Sequence, residues 1–234
     1  MIAIKTLASS SKGNCYYVTD GNTPLVLEAG INFREIRKAL DFNTSNLAGC
    51  LITHEHGDHC KGLKDVLRAG IDCYASDGTW DALLLDGHHR GHPVKSHEPF
   101  TIGTWTIMPF DAQHDVSEPL GFLLANKAGD KLLFATDTYY IKYKFKNVSH
   151  MLIECNYSKE ILDRNIEEGI TPKVMRKRLL RSHFSLENVK EFLKANDLSR
   201  VQEIHLLHLS DSNSDEALFK REIQQLTGKV VYIA

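Results

Sequence analysis

Short segments in which apolar residues alternate with polar ones, or form brief runs, recur along the chain and predict many β-strands. Gly21-Asn22 lies between two such segments and predicts a tight hairpin turn. The apolar run Gly49-Cys-Leu-Ile52 is typical of a strand buried on both faces. Strands are predicted at residues 2–6, 15–19, 24–27, 49–52, 72–75, 100–102, 105–110, 120–125, 131–135, 151–154, 201–209 and 229–233.

Apolar residues three and four positions apart predict helices between these strands. Phe33, Ile36 and Leu40 would share one face of a helix over residues 33–41. Pro172 suits a helix start, and Ser185 suits the N-cap of the next helix. Further helices are predicted after residue 60 and at residues 79–85, 157–167, 185–195 and 214–226. No linker or short repeat divides the sequence, so residues 1–234 are predicted to form a single domain.

Composition narrows the compartment and the partners. Of the 234 residues, 42% are hydrophobic, and the net charge is −2, so a nucleic-acid partner would need a local basic patch. Five cysteines without CxxC spacing predict buried thiols in a reducing compartment. The first residues do not resemble a signal peptide, and no long apolar run predicts a membrane span. A cytoplasmic protein without a membrane partner is expected.

Four side chains that can bind a metal lie within six residues of one another, directly after the apolar run at 49–52. They are His54, His56, Asp58 and His59, on a predicted strand-to-helix loop. Imidazole and carboxylate ligands suit zinc, iron or manganese better than calcium or magnesium. Cys60 follows directly, and we expect it to face the core rather than to bind metal.

The sequence His-x-His-x-Asp-His after a buried strand, with Thr53 before it, resembles the metallo-β-lactamase-fold superfamily. The resemblance implies an α+β four-layer αββα sandwich, with two mixed β-sheets flanked by helices and a metal centre at one end of the sheets. Two strand-rich halves with flanking helices fit this architecture. Later signatures follow in order: His114 after a strand, Asp137 at the end of a strand, and His208 in His-Leu-Ser210.

The resemblance implies two divalent metal ions, with zinc expected and manganese or iron open. One ion would be held by His54, His56 and His114. The other would be held by Asp58, His59 and His208, with Asp137 bridging the two. The family usually carries an aspartate where this chain has Glu28, which we do not count as a ligand. By strand parity, His205 faces away from His208.

A closer resemblance is to small cytoplasmic WalJ-type (YycJ-like) proteins. It depends on Ser11-Lys-Gly-Asn14, on His114-Asp115 before Pro119-Leu-Gly, on Glu154-Cys-Asn156 and on His183-Phe-Ser185. Such proteins resemble DNA exonucleases or phosphodiesterases, which implies a hydrolase that uses a metal-bridging hydroxide on nucleic acid or another phosphodiester. His59 stands where many β-lactamases carry a cysteine, which disfavours a β-lactam substrate.

The same resemblance gives roles to residues outside the metal set. Ser11 and Asn14 could donate to a phosphate oxygen. His183 could orient phosphate or protonate the leaving alkoxide, and the alternative is a helix-start residue without a function. Asp58 and His183 are the expected catalytic residues. Arg181 belongs to a basic run over residues 173–181, which could bind a nucleic-acid backbone or could equally be a solvated helix face.

Three other interpretations stay open at this point. The histidines of Gly87–Pro93 could form a second metal site, although a surface connection is favoured, and this loop could also border the opening of the active site. A small ester or a lactone could replace the phosphodiester as substrate. A non-hydrolytic iron-binding sensor could use the same ligands.

Overall fold

The computed structural model describes all 234 residues, Met1–Ala234, as two mixed β-sheets flanked by helices. The first sheet contains β1 (Ala3–Ser10), β2 (Gly13–Thr19), β3 (Pro24–Leu27), β4 (Gly49–Leu51), β5 (Cys73–Ala75) and β6 (Gly91–Pro93) in that order. The second contains β7 (Phe100–Ile102), β8 (Trp105–Asp111), β9 (Leu120–Asn126), β10 (Lys131–Ala135), β11 (His150–Glu154), β12 (Glu203–Leu207) and β13 (Val230–Ile233). Its order is β13-β12-β11-β10-β9-β8-β7. The predicted αββα fold class is confirmed.

Eight helices accompany the sheets. They are α1 (Phe33–Ala39), α2 (Gly57–Cys60), α3 (Leu63–Arg68), α4 (Asp77–Leu83), α5 (Lys159–Glu167), α6 (Lys173–Ser182), α7 (Leu186–Ala195) and α8 (Glu216–Thr227). The chain separates into two compact units. The first unit is Met1–Asp111 with Val116–Asp130, and the second unit is Ala112–Asp115 with Lys131–Ala234. That the 234 residues act as one hydrolase domain stays a prediction.

The core of the first unit forms where β4 and its neighbours pack against short helices. Ile36, Leu63 and Trp80 from three helices join Cys50 and Ile52 in one buried cluster. The three helices present apolar residues to this cluster, as the helical spacing predicts. This packing fixes β4, and therefore fixes the loop that carries the metal-competent residues.

The second unit is built on parallel strands that read as apolar runs because both of their faces are covered. Residues 132–135 of β10 and 150–154 of β11 are all buried. The neighbouring strands β10 to β13 pair in parallel with one another. All four strands therefore end at one edge of the sheet.

The helix α7 begins as the sequence predicts. The Ser185 hydroxyl accepts a hydrogen bond from the Asn188 N–H, which confirms the predicted N-cap.

Three local predictions differ from the structure. The strand β1 continues to Ser10, so the connection between the strands predicted at 2–6 and 15–19 shrinks to a turn at residues 11–12, because Ser9 pairs with Asn14 across the β1–β2 hairpin. Gly91–Pro93 forms β6, an edge strand where proline is tolerated, rather than an irregular connection. Asp58 and His59 already lie in the helical turn α2.

All five cysteines are free and buried, as the sequence predicts for small apolar side chains. Cys60 belongs to the core cluster, and its Sγ lies 3.0 Å from the carbonyl oxygen of His54. Burial raises the pKa of the Cys15, Cys60 and Cys155 thiols above the ordinary value. None of the helices has both the length and the apolar character needed to span a bilayer.

Candidate metal centre

The loop after β4 brings two imidazole nitrogens together within the first unit. His54 Nδ1 is 2.9 Å from the Thr53 hydroxyl, so Nε2 is the ring nitrogen that remains to bind a metal. This Nε2 lies 3.1 Å from Nδ1 of His56. Two ligands on one zinc ion, each about 2.0–2.1 Å from it in tetrahedral geometry, lie roughly 3.3 Å apart. The spacing of the two nitrogens therefore suits chelation of a single ion.

Asp58 and His59 form a second donor pair one helical turn later. His59 Nε2 lies 3.4 Å from Asp58 Oδ2, and the ring is fully buried. On its other side, Nδ1 lies 3.6 Å from the Glu28 carboxylate. A carboxylate that faces the remaining nitrogen of a metal-binding histidine orients the ring and sets its tautomer. Glu28 therefore suits a role in positioning His59.

Glu28 supports the loop at a second point. Its carboxylate accepts a hydrogen bond from the Thr53 N–H at 3.2 Å. Burial raises the pKa of Glu28 above its ordinary value, while His59 and Thr53 offset part of that rise. The residue adopts a left-handed backbone conformation, with φ 64°. Non-glycine residues in this region are uncommon and concentrate at functional sites.

Gly30 allows the chain after β3 to approach the helical turn α2 closely. A Cβ built on Gly30 would lie 1.7 Å from the carbonyl oxygen of Asp58. The adjacent backbone forms a hydrogen bond from the Ala29 N–H to the carbonyl oxygen of His59 at 2.9 Å. Only glycine fits this approach without displacement of the helical turn that carries Asp58 and His59.

In the second unit, the residues at or just after the ends of three neighbouring parallel strands lie at one edge of the sheet. Asp137 follows β10, Glu154 ends β11, and His208 follows β12. Because the carboxyl ends of parallel strands meet at the same edge, these side chains converge. His208 Nδ1 lies 2.9 Å from Asp137 Oδ1 and 3.4 Å from Glu154 Oε1. Asp137 and His208 also have left-handed backbones, with φ 43° and 53°.

Glu154 is the buried anchor of this edge. It accepts a 2.6 Å hydrogen bond from His183 Nδ1 through Oε1, and it accepts the N–H groups of Thr138 and Phe184 through Oε2, each at 3.0 Å. The side chain is fully buried. Burial raises the pKa of a carboxyl, but the charge and hydrogen bond of His183, together with His208, outweigh it, and the pKa of Glu154 is lowered.

His183 lies between α6 and α7, 3.9 Å from Asp137. Burial alone would lower the pKa of His183, but the Glu154 carboxylate raises it above the ordinary value through charge and a hydrogen bond. The same competition, with Asp137 as the main opposing charge, raises the pKa of His208 to about 10. Ligand atoms of Asp137, Glu154, His183 and His208 lie within 4.8 Å of one another and could hold a metal ion.

His114 is oriented by the backbone of α6. Its Nδ1 lies 2.9 Å from the carbonyl oxygen of Ser182, so the ring directs Nε2 toward Asp137 Oδ2, at 3.8 Å. Burial lowers the pKa of His114 although the Asp137 charge opposes this, so the neutral, metal-binding form is favoured. A backbone carbonyl on the second ring nitrogen is a usual support for a metal-binding histidine.

The donor chemistry of both units therefore fits divalent metal ions. The candidate nitrogen and carboxylate donors are His54, His56, Asp58 and His59 in the first unit, and His114, Asp137 and His208 in the second. Buried imidazoles with one nitrogen anchored and one directed toward another donor are the arrangement that zinc, manganese or iron would use.

The predicted substrate contacts occupy different surroundings. Ser11 is exposed in the β1–β2 turn, and Arg181 is exposed near the end of α6. Asn14 is fully buried, and its Nδ2 lies 3.3 Å from both Asp58 Oδ2 and His59 Nε2. Arg176 of the basic run forms a two-point ion pair with Asp163, at 2.6 and 3.2 Å.

The histidines of residues 87–93 lie away from any such donor set. His92 stacks on Tyr74, with ring centroids 4.9 Å apart, and its Nε2 lies 3.3 Å from Asp72. His88 and His89 stack on each other at 4.7 Å. The structure places this segment on and beside the edge strand β6.

Sequence reasoning missed two features. It gave Glu154 no role, although the position of this residue at the end of a buried strand, like that of Asp137, was a usable signal. It also passed over Tyr139-Tyr-Ile-Lys-Tyr-Lys144, in which aromatic and basic residues are interleaved. This segment and α7 line a cavity of about 440 Å³ within the second unit.

Comparisons with known proteins agree with this fold and these donors. A family described as Beta-lactamase superfamily domain matches residues 25–206. The exodeoxyribonuclease YycJ of Bacillus anthracis is 28% identical over 94% of this chain and 87% of its own length. The exodeoxyribonuclease WalJ of Streptococcus pneumoniae is 30% identical, over 91% of this chain and 83% of its own.

A solved structure gives the same result for the fold. The metallo-β-lactamase fold protein YhfI of Bacillus subtilis matches with a TM-score of 0.74 and 14% identity, over 100% of this chain and 96% of that one. At this identity the likeness concerns the fold alone. Together, these matches confirm the resemblance predicted from the His-x-His-x-Asp-His loop and from the WalJ-type motifs.

Proposed function

The chain belongs to the β-lactamase superfamily domain family, and on that premise we propose that it is a phosphodiesterase that degrades nucleic acid, as a DNA exonuclease does. The chain is a metal-dependent hydrolase, and the proposal concerns its substrate. The observation that carries it is the position of His183, held by a buried carboxylate beside Asp137. Relatives that are named exodeoxyribonucleases, and that align with 94% and 91% of the chain, support nucleic acid as the substrate.

We assign two divalent ions, zinc first and manganese or iron as alternatives, to seven side chains. One ion is assigned to His54, His56 and His114, the other to Asp58, His59 and His208, and the bridging position to Asp137. When bound, the two ions supply a hydroxide nucleophile near neutral pH and neutralise charge on the phosphate. The anchored ring nitrogens described above support this assignment.

His183 supplies what a phosphodiester needs beyond the metal ligands, which is a proton for the leaving oxygen. Glu154 holds Nδ1 at 2.6 Å, so Nε2 carries the proton that is transferred as the phosphorus–oxygen bond breaks. The Glu154 carboxylate raises the pKa of His183, which favours the protonated ring that a general acid requires. Asp58, whose side chain is 23% exposed, is proposed to orient the attacking water as a catalytic carboxylate.

Substrate binding is proposed at the exposed residues Ser11 and Arg181, by contact with phosphate oxygens. Asn14 influences the substrate through Asp58 and His59, because its amide nitrogen already contacts both. A cytoplasmic location is part of the same proposal, since free and buried cysteines are typical of a reducing compartment.

A hydrolysis screen tests this proposal directly. The protein, stripped of metal and reloaded with zinc or manganese, is incubated with bis-p-nitrophenyl phosphate, end-labelled DNA, end-labelled RNA and a lactone panel. We expect stepwise shortening of DNA, together with turnover of the small phosphodiester. The metal-stripped protein and the Asp137→Ala variant serve as matched inactive controls.

Two results would contradict the proposal. Hydrolysis of lactones or small esters, with no cleavage of DNA or RNA, would assign the site to the alternative ester substrate. Iron retained in the site, with no turnover of any substrate, would favour a non-hydrolytic sensor.

A further inference from the structure

The second unit contains a cavity whose lining matches unpaired nucleobases. Its volume of about 440 Å³ is within the range of sites for small organic molecules. Phe184 and Phe192 are buried against it, with ring centroids 6.1 Å apart. Tyr139, Tyr140 and Tyr143 line the cavity as well. The three tyrosines are at least partly exposed and provide flat surfaces on which bases can stack, whereas the two phenylalanines are buried.

The opening of this cavity is positively charged. Lys142 and Lys144 alternate with the tyrosines and are exposed. Glu191 is the one acidic lining residue, and its carboxylate forms an ion pair with Lys194 at 2.8 Å. Aromatic platforms combined with lysines are how proteins bind single-stranded nucleic acid without sequence preference. An apolar ligand without charge would not need the two lysines.

Residues that line the cavity are also neighbours in sequence of the residues proposed to act in catalysis. Tyr139 is two residues from Asp137, so at most about 7 Å of backbone separates them. Phe184 directly follows His183, and its N–H donates to the same Glu154 oxygen as the Thr138 N–H. Glu154 therefore links the lining of the cavity to the residues that we propose act on the scissile phosphate.

Among the residues that line the cavity, Tyr140 is the one whose exposure is least explained by packing. Its side chain is 55% exposed, which is unusual for a large aromatic ring that packs a core. Its carbonyl oxygen accepts a hydrogen bond from the Thr138 hydroxyl at 2.9 Å, which fixes the backbone at the mouth of the cavity. The ring is thus held at the surface on an ordered backbone, ready to contact a ligand.

We propose that this cavity stacks unpaired bases of a DNA strand beside the scissile phosphate. This inference rests on the proposed nuclease function. It adds the surface that holds the bases next to the bond that is cleaved.

Binding without turnover isolates the contribution of the bases. The full-length protein, with metal removed by a chelator, is titrated into fluorescent oligothymidylate or into an abasic oligonucleotide of equal length. Tyr140→Ala should weaken oligothymidylate binding about 5- to 150-fold and change abasic binding little. Tyr140→Phe keeps the ring and should bind as wild type does. Tyr232→Ala removes a half-exposed tyrosine outside the cavity and is the matched control.

The lysine contribution has its own matched pair. Lys144→Ala should reduce the salt dependence of binding for both oligonucleotides, because a phosphate contact is lost. Lys146→Ala removes an exposed lysine two residues after Lys144 that does not line the cavity, and it should leave the salt dependence unchanged. Thermal unfolding of each variant shows that the loss concerns binding and not folding.

The outcomes separate this inference from the proposed function. If the wild type cleaves DNA but Tyr140→Ala binds both oligonucleotides as wild type does, the stacking surface is wrong and the nuclease proposal stands. Equal weakening on both oligonucleotides would also overturn stacking, because it places the tyrosine on the backbone. If the wild type neither binds nor cleaves any nucleic acid, both proposals fail together.

Discussion

Replacing His183 with alanine is expected to slow DNA hydrolysis far more than hydrolysis of bis-p-nitrophenyl phosphate. A nucleotide leaves as an alkoxide that needs a proton, whereas p-nitrophenolate departs as a stabilised anion. His183 Nδ1 is occupied by Glu154 at 2.6 Å, so Nε2 is the nitrogen that remains to deliver the proton. Loss of a general acid costs about 10²–10⁴-fold in rate, or about 3–5 kcal/mol in the barrier.

The Glu154 contact gives a second magnitude for the same reasoning. Glu154→Gln keeps the size of the side chain but removes the charge that orients His183. A hydrogen bond to a charged group contributes about 1.5–3 kcal/mol, which corresponds to a loss of about 10- to 100-fold in DNA hydrolysis. We therefore expect Glu154→Gln to be affected in the same direction as His183→Ala but less strongly.

Both rates and the metal content are measured on the same preparations. His205→Gln changes a histidine three residues before His208 that contacts Glu203 instead, and it should keep both rates. Equal losses on both substrates would refute the proton-donor role of His183 and leave phosphate positioning. Loss of metal in His183→Ala would identify it as a ligand, which its place beside Asp137 and His208 also allows.

Three further predictions concern the metals, the basic helix and the fold of the ligand loop. The wild type should bind about two metals per chain by elemental analysis, and Asp137→Ala should lower both occupancy and activity; full activity in that variant would exclude a bridging carboxylate. Arg181→Ala should reduce the slope of log K against log salt concentration for DNA binding by about 0.7–0.9. Arg176→Ala should reduce this slope less, because the Arg176 guanidinium is already in an ion pair. Equal slopes in the wild type and both variants would make α6 a solvated face. Gly30→Ala should destabilise the metal-free protein by about 1–3 kcal/mol in thermal unfolding, because its Cβ would lie 1.7 Å from a backbone carbonyl oxygen. Gly57→Ala is the matched control, because its Cβ would have no atom within 4 Å. Similar melting temperatures for the two variants would refute the packing argument.

The candidate donors could be predicted because each follows a strand whose apolar run is visible in the sequence. His54 follows β4 within three residues, and Asp137 and His208 follow β10 and β12 within two. The strand pattern together with the family resemblance therefore located them along the chain. The pairing of each ring nitrogen with Thr53, Glu28 or Ser182 depends on tertiary contacts and could not be read in advance.

Burial was the property that the sequence predicted least well. Asn14 follows a run of serines and looked like a loop residue open to a phosphate, but the hairpin β1–β2 buries it against Asp58. Glu154 looked like part of a motif without a role, and only its three hydrogen bonds and its contact with His208 reveal that it orients His183. Side-chain surroundings depend on residues distant in sequence, which local periodicity does not encode.

The five buried cysteines of this chain make it a suitable background for site-directed labelling. Maleimides and spin-label reagents react with accessible thiolates, and all five native thiols are buried. A Lys146→Cys substitution would therefore place a single reactive probe two residues after the segment Tyr139–Lys144. No native cysteine has to be replaced first, so fluorescence or electron paramagnetic resonance can follow that segment in the otherwise unaltered protein.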